Sequence, residues 1–183
     1  MNYVEPIRNK EDIEMMTEYL KEWNIRNYMI FLVGINTGLR ISDIINLKVS
    51  NLRGWYIVLT ERKTKKSKKI KLNGSLKKEL DKYIVGKKVG DYLFQSRKGK
   101  NKPITRQMAY LILKIAATDC GIENVGTHTM RKTFGYHYYQ KHKDIGTLMD
   151  IFNHSSPAIT KKYIGINQDS IDRAMASFKL GFS

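Results

Sequence analysis

The opening part of the chain has apolar residues at helical spacing. Residues 11–23 repeat apolar positions with the period of an amphipathic helix and therefore predict one helix. Residues 25–36 are more continuously apolar and predict a second, more buried helix, with Gly38 suited to its C-terminal cap. The isoleucines and the leucine within 41–47 predict a short third helix.

From residue 55 onward the pattern becomes that of β-strands. Residues 55–60 are rich in aromatic and β-branched side chains, which predicts a strand. Ile70 and Leu72 alternate with lysines, as expected of a half-buried return strand. The basic segment between these strands predicts the turn of a β-hairpin, and residues 92–94 could form a short third strand.

Helical patterns dominate the rest of the sequence. The predicted fold class is therefore α+β, mostly helical with a small antiparallel β-sheet. The 183 residues suit a single domain covering 1–183. The longest apolar run, residues 28–35, is far below the roughly 18 residues that span a bilayer. The remaining helices are expected at about 75–85, 105–118, 128–141, 144–152, 157–164 and 168–177.

Composition adds information about the partner. The chain has 33 Lys and Arg against 17 Asp and Glu, a net charge of +16. Because lysines that neutralise phosphates release counterions, this excess favours a nucleic acid over an anionic membrane surface. A single cysteine, Cys120, excludes an internal disulfide framework and a multi-cysteine zinc site. The composition predicts a soluble, cytosolic domain.

Several common catalytic motifs are missing from the sequence. It contains no Gly-x-x-x-x-Gly-Lys-Ser/Thr phosphate loop, no His-Glu-x-x-His zinc motif and no Gly-x-Ser-x-Gly nucleophile elbow. Its acidic residues are sparse and scattered, which argues against a two-metal nuclease. The candidates that remain are cations, histidines and a tyrosine.

One candidate lies where the third helix begins. Arg40 and Asp43 are three residues apart and can share a helix face. A guanidinium held by a carboxylate is suited to a phosphate, since its fork matches phosphate oxygens. An ordinary surface ion pair is the alternative.

The predicted hairpin turn is strongly basic. Seven of the eleven residues from Glu61 to Lys71 are Lys or Arg. Such a run can be a solvated face or a general phosphate contact, and on a hairpin it can place one lysine over a phosphodiester. Charge alone does not identify that lysine.

A further candidate opens the helix expected at 128–141. Thr127 is suited to the N-cap, and His128 and Arg131 project from the first turn. A histidine there can accept a proton beside a phosphate-binding arginine. A histidine hydrogen-bonded within the core is the alternative.

The last candidate is a histidine followed by a tyrosine. Ser156 and Pro157 form a helix start, and Tyr163 lies near the end of that short helix, nine residues after His154. Core packing is the alternative for a tyrosine in a chain that contains 11 of them.

Taken in order, these pieces resemble the tyrosine recombinase (phage integrase) family. The similarity spans roughly residues 10–177 and matches the catalytic domain of that family. Each piece is weak alone, and their common order and spacing make the signal specific. The matching residues are Arg40 and Asp43 in Thr-Gly-Leu-Arg-x-x-Asp, Lys63 in the hairpin, His128 and Arg131 in His-x-x-Arg, His154, and Tyr163.

The resemblance implies a role for each reacting group. Tyr163 would attack a DNA phosphodiester and form a 3′-phosphotyrosyl link with release of a 5′-hydroxyl. Arg40 and Arg131 would stabilise the charge on the non-bridging oxygens. Lys63 would protonate the leaving 5′-oxygen, with Lys65 and Lys66 as alternatives.

The resemblance also implies supporting roles. His128 would accept the tyrosine proton or share that task, His154 would donate a hydrogen bond to the phosphate, and Asp43 would support the site. Because the bond energy is kept in the phosphotyrosine, the family needs neither a metal nor ATP, so no cofactor and no metal site are expected. The hairpin residues expected to contact DNA are Arg62, Lys65, Lys66 and Lys68.

For the whole molecule, the resemblance implies a site-specific recombinase acting on double-stranded DNA in integration, excision or inversion. We expect a homotetramer on DNA in the cytoplasm, associated with the nucleoid, with exchange of residues 167–183 between subunits and with accessory DNA-binding factors possible. A non-cleaving DNA-binding regulator and a type IB topoisomerase are the alternatives.

The sequence departs from the family pattern in three respects. The separate N-terminal DNA-binding domain of most phage integrases is not expected here, because only a short lead-in precedes the catalytic part. Asn153 stands before the second histidine, where glycine is frequent. Lys132 follows Arg131, where many relatives have another histidine. None of these changes removes an expected catalytic group.

Overall fold

The computed structural model describes residues 4–61, 63 and 65–180, and its architecture is a helical domain with one small sheet. This confirms the predicted α+β, mostly helical class. In chain order the helices are α1 Lys10–Trp23, α2 Ile25–Thr37, α3 Ile41–Ile44, α4 Gly74–Tyr83, α5 Arg106–Asp119, α6 Thr129–His142, α7 Ile145–Phe152, α8 Pro157–Tyr163 and α9 Ile166–Ser177.

The sheet has three antiparallel strands in the order β1-β2-β3. Strands β2 (Tyr56–Thr60) and β3 (Ser67–Lys71) form the predicted hairpin, which closes with Thr60 opposite Ser67. The third strand was expected at 92–94, and this expectation is wrong: β1 is Leu52–Arg53, and Tyr92 makes only an isolated bridge to Lys48.

Most helix N-termini are fixed by side-chain caps. Asn24 separates α1 from α2 and accepts a hydrogen bond from the N–H of Arg26. Ser156 caps α8 with Pro157 in its first turn, as predicted. Thr127 does not cap α6. His128 occupies the cap position in a helical conformation without a side-chain cap bond.

The buried apolar side chains form two clusters. The large core joins α1–α5 and the sheet, and Phe31 and Phe94 are fully buried within it. A smaller cluster lies among α6–α9, with Leu148, Phe152 and Ile164 at its centre. Helix α6 connects the clusters, because Met130 near its start belongs to the large core and Phe134 packs on the small one.

Two glycines allow the close packing around α6. Gly38 ends α2 in the left-handed region (φ 62°), and a Cβ there would come within 2.5 Å of the Phe134 ring. A Cβ on Gly135 would lie 2.7 Å from both Phe152 and Ile164. Larger residues at these positions would push α6 away from its neighbours.

Across the described ranges, no helix combines the length and apolar character required to cross a membrane.

Candidate active site

Arg131 lies at the centre of the candidate site, on the first turns of α6. Its side chain is buried, with Nη1 donating to the carbonyl of Gly38 and Nη2 donating to the carbonyl of Phe152 at 3.1 Å. The guanidinium carbon also lies 4.3 Å from the centre of the Phe152 ring. Burial lowers the pKa of Arg131 from its ordinary value, but a guanidinium stays protonated in proteins. Arg131 therefore joins the ends of α2 and α7 and supplies a buried positive charge.

Arg40 is the second arginine of the site and precedes α3 in an extended conformation. Its Nη1 lies 3.1 Å from Oε1 of Glu61, and the same oxygen lies 3.2 Å from Nζ of Lys68. Glu61 is only 3% exposed, so its carboxylate is buried between two cations. Asp43, expected to hold Arg40, is itself buried one turn into α3, and its supporting role stays a prediction.

Glu61 was not singled out from the sequence as a site residue. The available signal was its position, because it is the single acidic residue within the basic run from 61 to 71. Only folding shows that its carboxylate meets Arg40, which lies 21 positions earlier in the chain.

The hairpin is attached to the end of α7 at two points. Lys68 donates to the carbonyl of Ile151, and Nζ of Lys66 lies 2.9 Å from Oδ1 of Asn153. Lys68 is half-buried, and burial lowers its pKa despite the opposing effect of Glu61. The predicted DNA-contacting lysine at 68 therefore points into the protein.

The other hairpin residues predicted to act on DNA lie toward the turn. Lys63 and Lys65 are exposed, and Lys65 has a left-handed backbone (φ 59°). Arg62 lies outside the described residues. The structure thus brings Lys68 to the arginines and leaves Lys63, the expected proton donor, exposed in the turn.

Asn153 and His154 follow the end of α7. Asn153 caps α7 in the left-handed region (φ 54°), which asparagine tolerates better than most residues, so it can replace the frequent glycine. Nδ1 of His154 lies 3.0 Å from the hydroxyl of buried Thr160, which is also 3.3 Å from the carbonyl of Ser156.

The hydroxyl of Thr160 has one proton to donate, either to the Ser156 carbonyl at 3.3 Å or to Nδ1 of His154 at 3.0 Å. When it donates to Nδ1, the ring carries its proton on Nε2 and can donate a hydrogen bond to a phosphate. When it donates to Ser156, Nδ1 of His154 carries the ring proton instead. Burial, assisted by the charges of Arg131 and Arg40, lowers the pKa of His154, which favours the neutral ring. Thr160 was not identified from the sequence.

Tyr163 ends α8 beside both histidines. Its hydroxyl lies 3.4 Å from Nδ1 of His128, and its ring packs edge-on against those of His154 and Phe152, at centroid distances of 5.1 and 5.4 Å. Burial raises the pKa of Tyr163, although Arg131 acts in the opposite direction. The hydroxyl is therefore protonated at neutral pH and needs a base before it can attack.

His128 has the properties of that base. Burial lowers its pKa, and the positive charges of Arg106 and Arg131 lower it further. A neutral imidazole beside a protonated tyrosine can accept the proton as the oxygen becomes a nucleophile.

This arrangement predicts how DNA cleavage depends on pH. Because the pKa of His128 lies below its usual value of about 6.5, the rate constant should be level near neutrality and fall as the pH drops below that value. Because the folded state favours the neutral form of His128, the free energy of unfolding also falls as the pH drops through this range. Single-turnover cleavage of nicked DNA across this range measures the effect.

A His128→Gln variant should cleave more slowly and lose most of this acid limb, and His154→Gln, tested in parallel, should retain it. An acid limb centred above the usual histidine pKa would contradict the assignment of His128 as a neutral base.

The described part of the chain contains no group of three or more His, Cys, Asp or Glu side chains placed to hold a metal ion. What it does bring together is a tyrosine hydroxyl, two histidines and two arginines. Guanidinium groups match phosphate oxygens, and an activated tyrosine can attack phosphorus. The fold and this site together define the catalytic domain of a tyrosine recombinase.

Comparison with known proteins agrees with this class. The chain belongs to the phage integrase family, which matches residues 8–169. It is 49% identical over 179 residues to the probable integrase/recombinase YoeC of Bacillus subtilis (strain 168), covering 97% of this chain and 98% of that protein. It is 30% identical to a tyrosine recombinase of Pseudothermotoga lettingae over 93% of this chain and 64% of the relative.

The fold is also that of a solved recombinase. A crystal structure of XerH site-specific recombinase bound to palindromic difH substrate, a post-cleavage complex, superposes with a TM-score of 0.75 at 20% identity. The match covers 96% of this chain and 53% of that one. The chain thus spans nearly all of the Bacillus relative and less than two thirds of the other two proteins.

Proposed function

We propose that this chain is a site-specific recombinase that cleaves and rejoins double-stranded DNA through Tyr163. The observation that carries the proposal is the Tyr163 hydroxyl, 3.4 Å from His128 and next to the buried cation Arg131. Family membership and the net charge of +16 support DNA as the substrate. The XerH relative was solved on its DNA substrate, which is consistent with the same class of ligand.

In the proposed reaction, the Tyr163 oxygen attacks the scissile phosphorus as its proton passes to His128. The bond from phosphorus to the 5′-oxygen breaks, which leaves a 3′-phosphotyrosyl link and a 5′-hydroxyl. Arg131, Arg40 and the Nε2–H of His154 stabilise the charge that develops on the non-bridging oxygens. Attack by the 5′-hydroxyl of another strand reverses these steps and completes the exchange.

The leaving 5′-oxygen needs a proton, and the candidates are the hairpin lysines: Lys63, with Lys65 and Lys66 as alternatives, and Lys68. The family resemblance favours Lys63, which is exposed at the turn and therefore placed to follow a DNA strand. Lys68 lies close to Glu61 and Arg40, but its Nζ is already hydrogen-bonded to the Glu61 carboxylate and to the Ile151 carbonyl. We assign proton donation to Lys63 and a positioning role to Lys68.

A sulfur leaving group distinguishes these roles. Lys63→Ala should slow cleavage of ordinary DNA by about 10²–10⁴-fold, and a substrate with sulfur in place of the scissile 5′-oxygen should restore the rate because a thiolate leaves without a proton. Lys68→Ala should slow both substrates alike. Single-turnover rates on the two substrates measure this, with Lys65→Ala testing an alternative donor and Lys78→Ala, which changes an exposed lysine of α4, as the control. Rescue of Lys68→Ala alone would instead make Lys68 the donor.

We further propose assembly as a homotetramer on two duplexes, with accessory DNA-binding factors possible, in the cytoplasm at the nucleoid. The segment from α9 onward supports the exchange of residues 167–183 between subunits, because three of its apolar side chains lie in solvent. Ile171, Met175 and Phe178 are 54%, 65% and 63% exposed. Residues 181–183 of that segment lie outside the described residues.

The test of the proposal uses nicked duplexes from the repeats that adjoin the coding sequence, in EDTA. A covalent protein–DNA adduct on a denaturing gel, followed by strand exchange with a second duplex, is the expected result. Relaxation of supercoiled DNA without exchange would favour a type IB topoisomerase. Specific binding without an adduct would favour a non-cleaving regulator.

A further inference from the structure

A short segment at the start of the chain, residues 4–8, lies along α6 and is called here the N-terminal strap. The N–H of Ile7 donates to the Thr133 hydroxyl at 2.9 Å, and the carbonyl of Ile7 lies 2.9 Å from Nε2 of His137. Thr133 and His137 are one turn apart on the same face of α6. The strap is thus held by the helix that carries Arg131.

The strap extends to the start of α9. The guanidinium of Arg8 bridges Glu5 at 2.6 Å and Asp169 at 2.9 Å. Its carbon atom also lies 5.6 Å from the centre of the Tyr136 ring. These contacts fix the strap against α6 and against the first turn of α9.

Lys132 connects the strap with Tyr163. Its Nζ donates to the carbonyl of Val4 at 2.6 Å and lies 5.5 Å from the centre of the Tyr163 ring. An ammonium group at that distance is attracted to an aromatic ring. Burial lowers the pKa of Lys132, and the carboxylate of Glu5 acts in the opposite direction.

The ring of Tyr163 needs such a contact because its hydroxyl must stay aligned with His128. The distance between them, 3.4 Å, is at the long end of the hydrogen-bonding range, so a small rotation of the ring breaks the contact. Phe152 and His154 meet the ring edge-on, whereas Lys132 adds a charged contact anchored to the backbone of a separate segment.

We propose that Lys132 is a positioning residue for the nucleophile, held by the strap. The Val4 carbonyl fixes the ammonium group, and the ammonium group fixes the ring of Tyr163 against His128. A change in the strap, which precedes α1, would therefore alter the orientation of the Tyr163 ring. This inference rests on the proposed function of Tyr163.

The test compares Lys132→Met, which removes the charge, with Lys132→Arg, which keeps it. Lys132→Met should reduce the single-turnover cleavage rate at saturating protein by about tenfold, and Lys132→Arg should restore most of it. Lys162→Met, which changes an exposed lysine next to Tyr163 in sequence, is the matched control and should cleave like the parent.

A fluorine signal reports the ring without requiring cleavage. In protein labelled with 3-fluorotyrosine, the resonance missing from Tyr163→Phe belongs to Tyr163. It should shift in Lys132→Met and return toward its original position in Lys132→Arg. An unmoved resonance, or equal rates for Lys132→Met and the parent, would overturn the positioning role. If the parent forms no adduct, the proposed function fails, whereas the fluorine comparison still decides whether Lys132 orients the ring.

Discussion

Replacement of Tyr163 by phenylalanine should abolish covalent attachment to DNA and leave DNA binding intact. The variant lacks only the hydroxyl that faces His128, and the ring that packs against Phe152 and His154 remains. Without the attacking oxygen, no phosphotyrosyl bond can form, so the adduct should fall below detection rather than merely decrease. The measurement is a denaturing gel of nicked DNA, paired with a binding titration.

The matched control is Tyr138→Phe, which removes a hydroxyl from another tyrosine packed on the small cluster and should retain the adduct. An adduct that persists in Tyr163→Phe would mean that another side chain attacks the DNA. Peptide mapping of the DNA-linked fragment would then identify it.

Replacement of Arg40 by alanine should slow cleavage by about 10²–10³-fold, the usual effect of removing one donor that stabilises transition-state charge. Arg40→Lys should recover only part of this rate, because an ammonium group lacks the planar fork that matches two phosphate oxygens. The fold should persist, since the buried carboxylate of Glu61 keeps Lys68 as its partner. Single-turnover cleavage measures the rate, and thermal unfolding measures the stability.

Arg53→Ala, which changes an exposed arginine on β1, is the control for the loss of a positive charge. If Arg40→Ala and Arg53→Ala lower cleavage equally, Arg40 contributes only to general DNA attraction. A large loss of thermal stability in Arg40→Ala alone would mean that Arg40 mainly compensates Glu61.

The helices could be predicted from the sequence because their signals are local. Apolar spacing and caps such as Ser156 with Pro157 lie within each helix, and they located every long helix to within a few residues. The third strand could not be found in this way. Strand β1 has only two residues and gains its pairing from β2 across the Gly54 turn. Leu93 and Phe94, in contrast, are apolar because they are buried in the large core.

The residues of the candidate site also fall into two groups, those that local sequence motifs indicate and those that only the fold reveals. The order of motifs indicated the arginines, histidines and tyrosine, and the structure places them together. The sequence did not indicate that Glu61 meets Arg40 or that Thr160 orients His154. Arg40 and Glu61 are 21 positions apart, and His154 and Thr160 are joined by the turn that leads into α8. Such contacts depend on the folded chain, and spacing along one element does not reveal them.

Phe152 has two roles at once, because Tyr163 packs on the smaller of the two apolar clusters. This one fully buried residue fills the cluster, accepts a hydrogen bond from Arg131 through its carbonyl, and touches the rings of His154 and Tyr163. Packing and alignment are therefore not separable traits at this position. A substitution at residue 152 that repacks the cluster would therefore also change the packing of the His154 and Tyr163 rings.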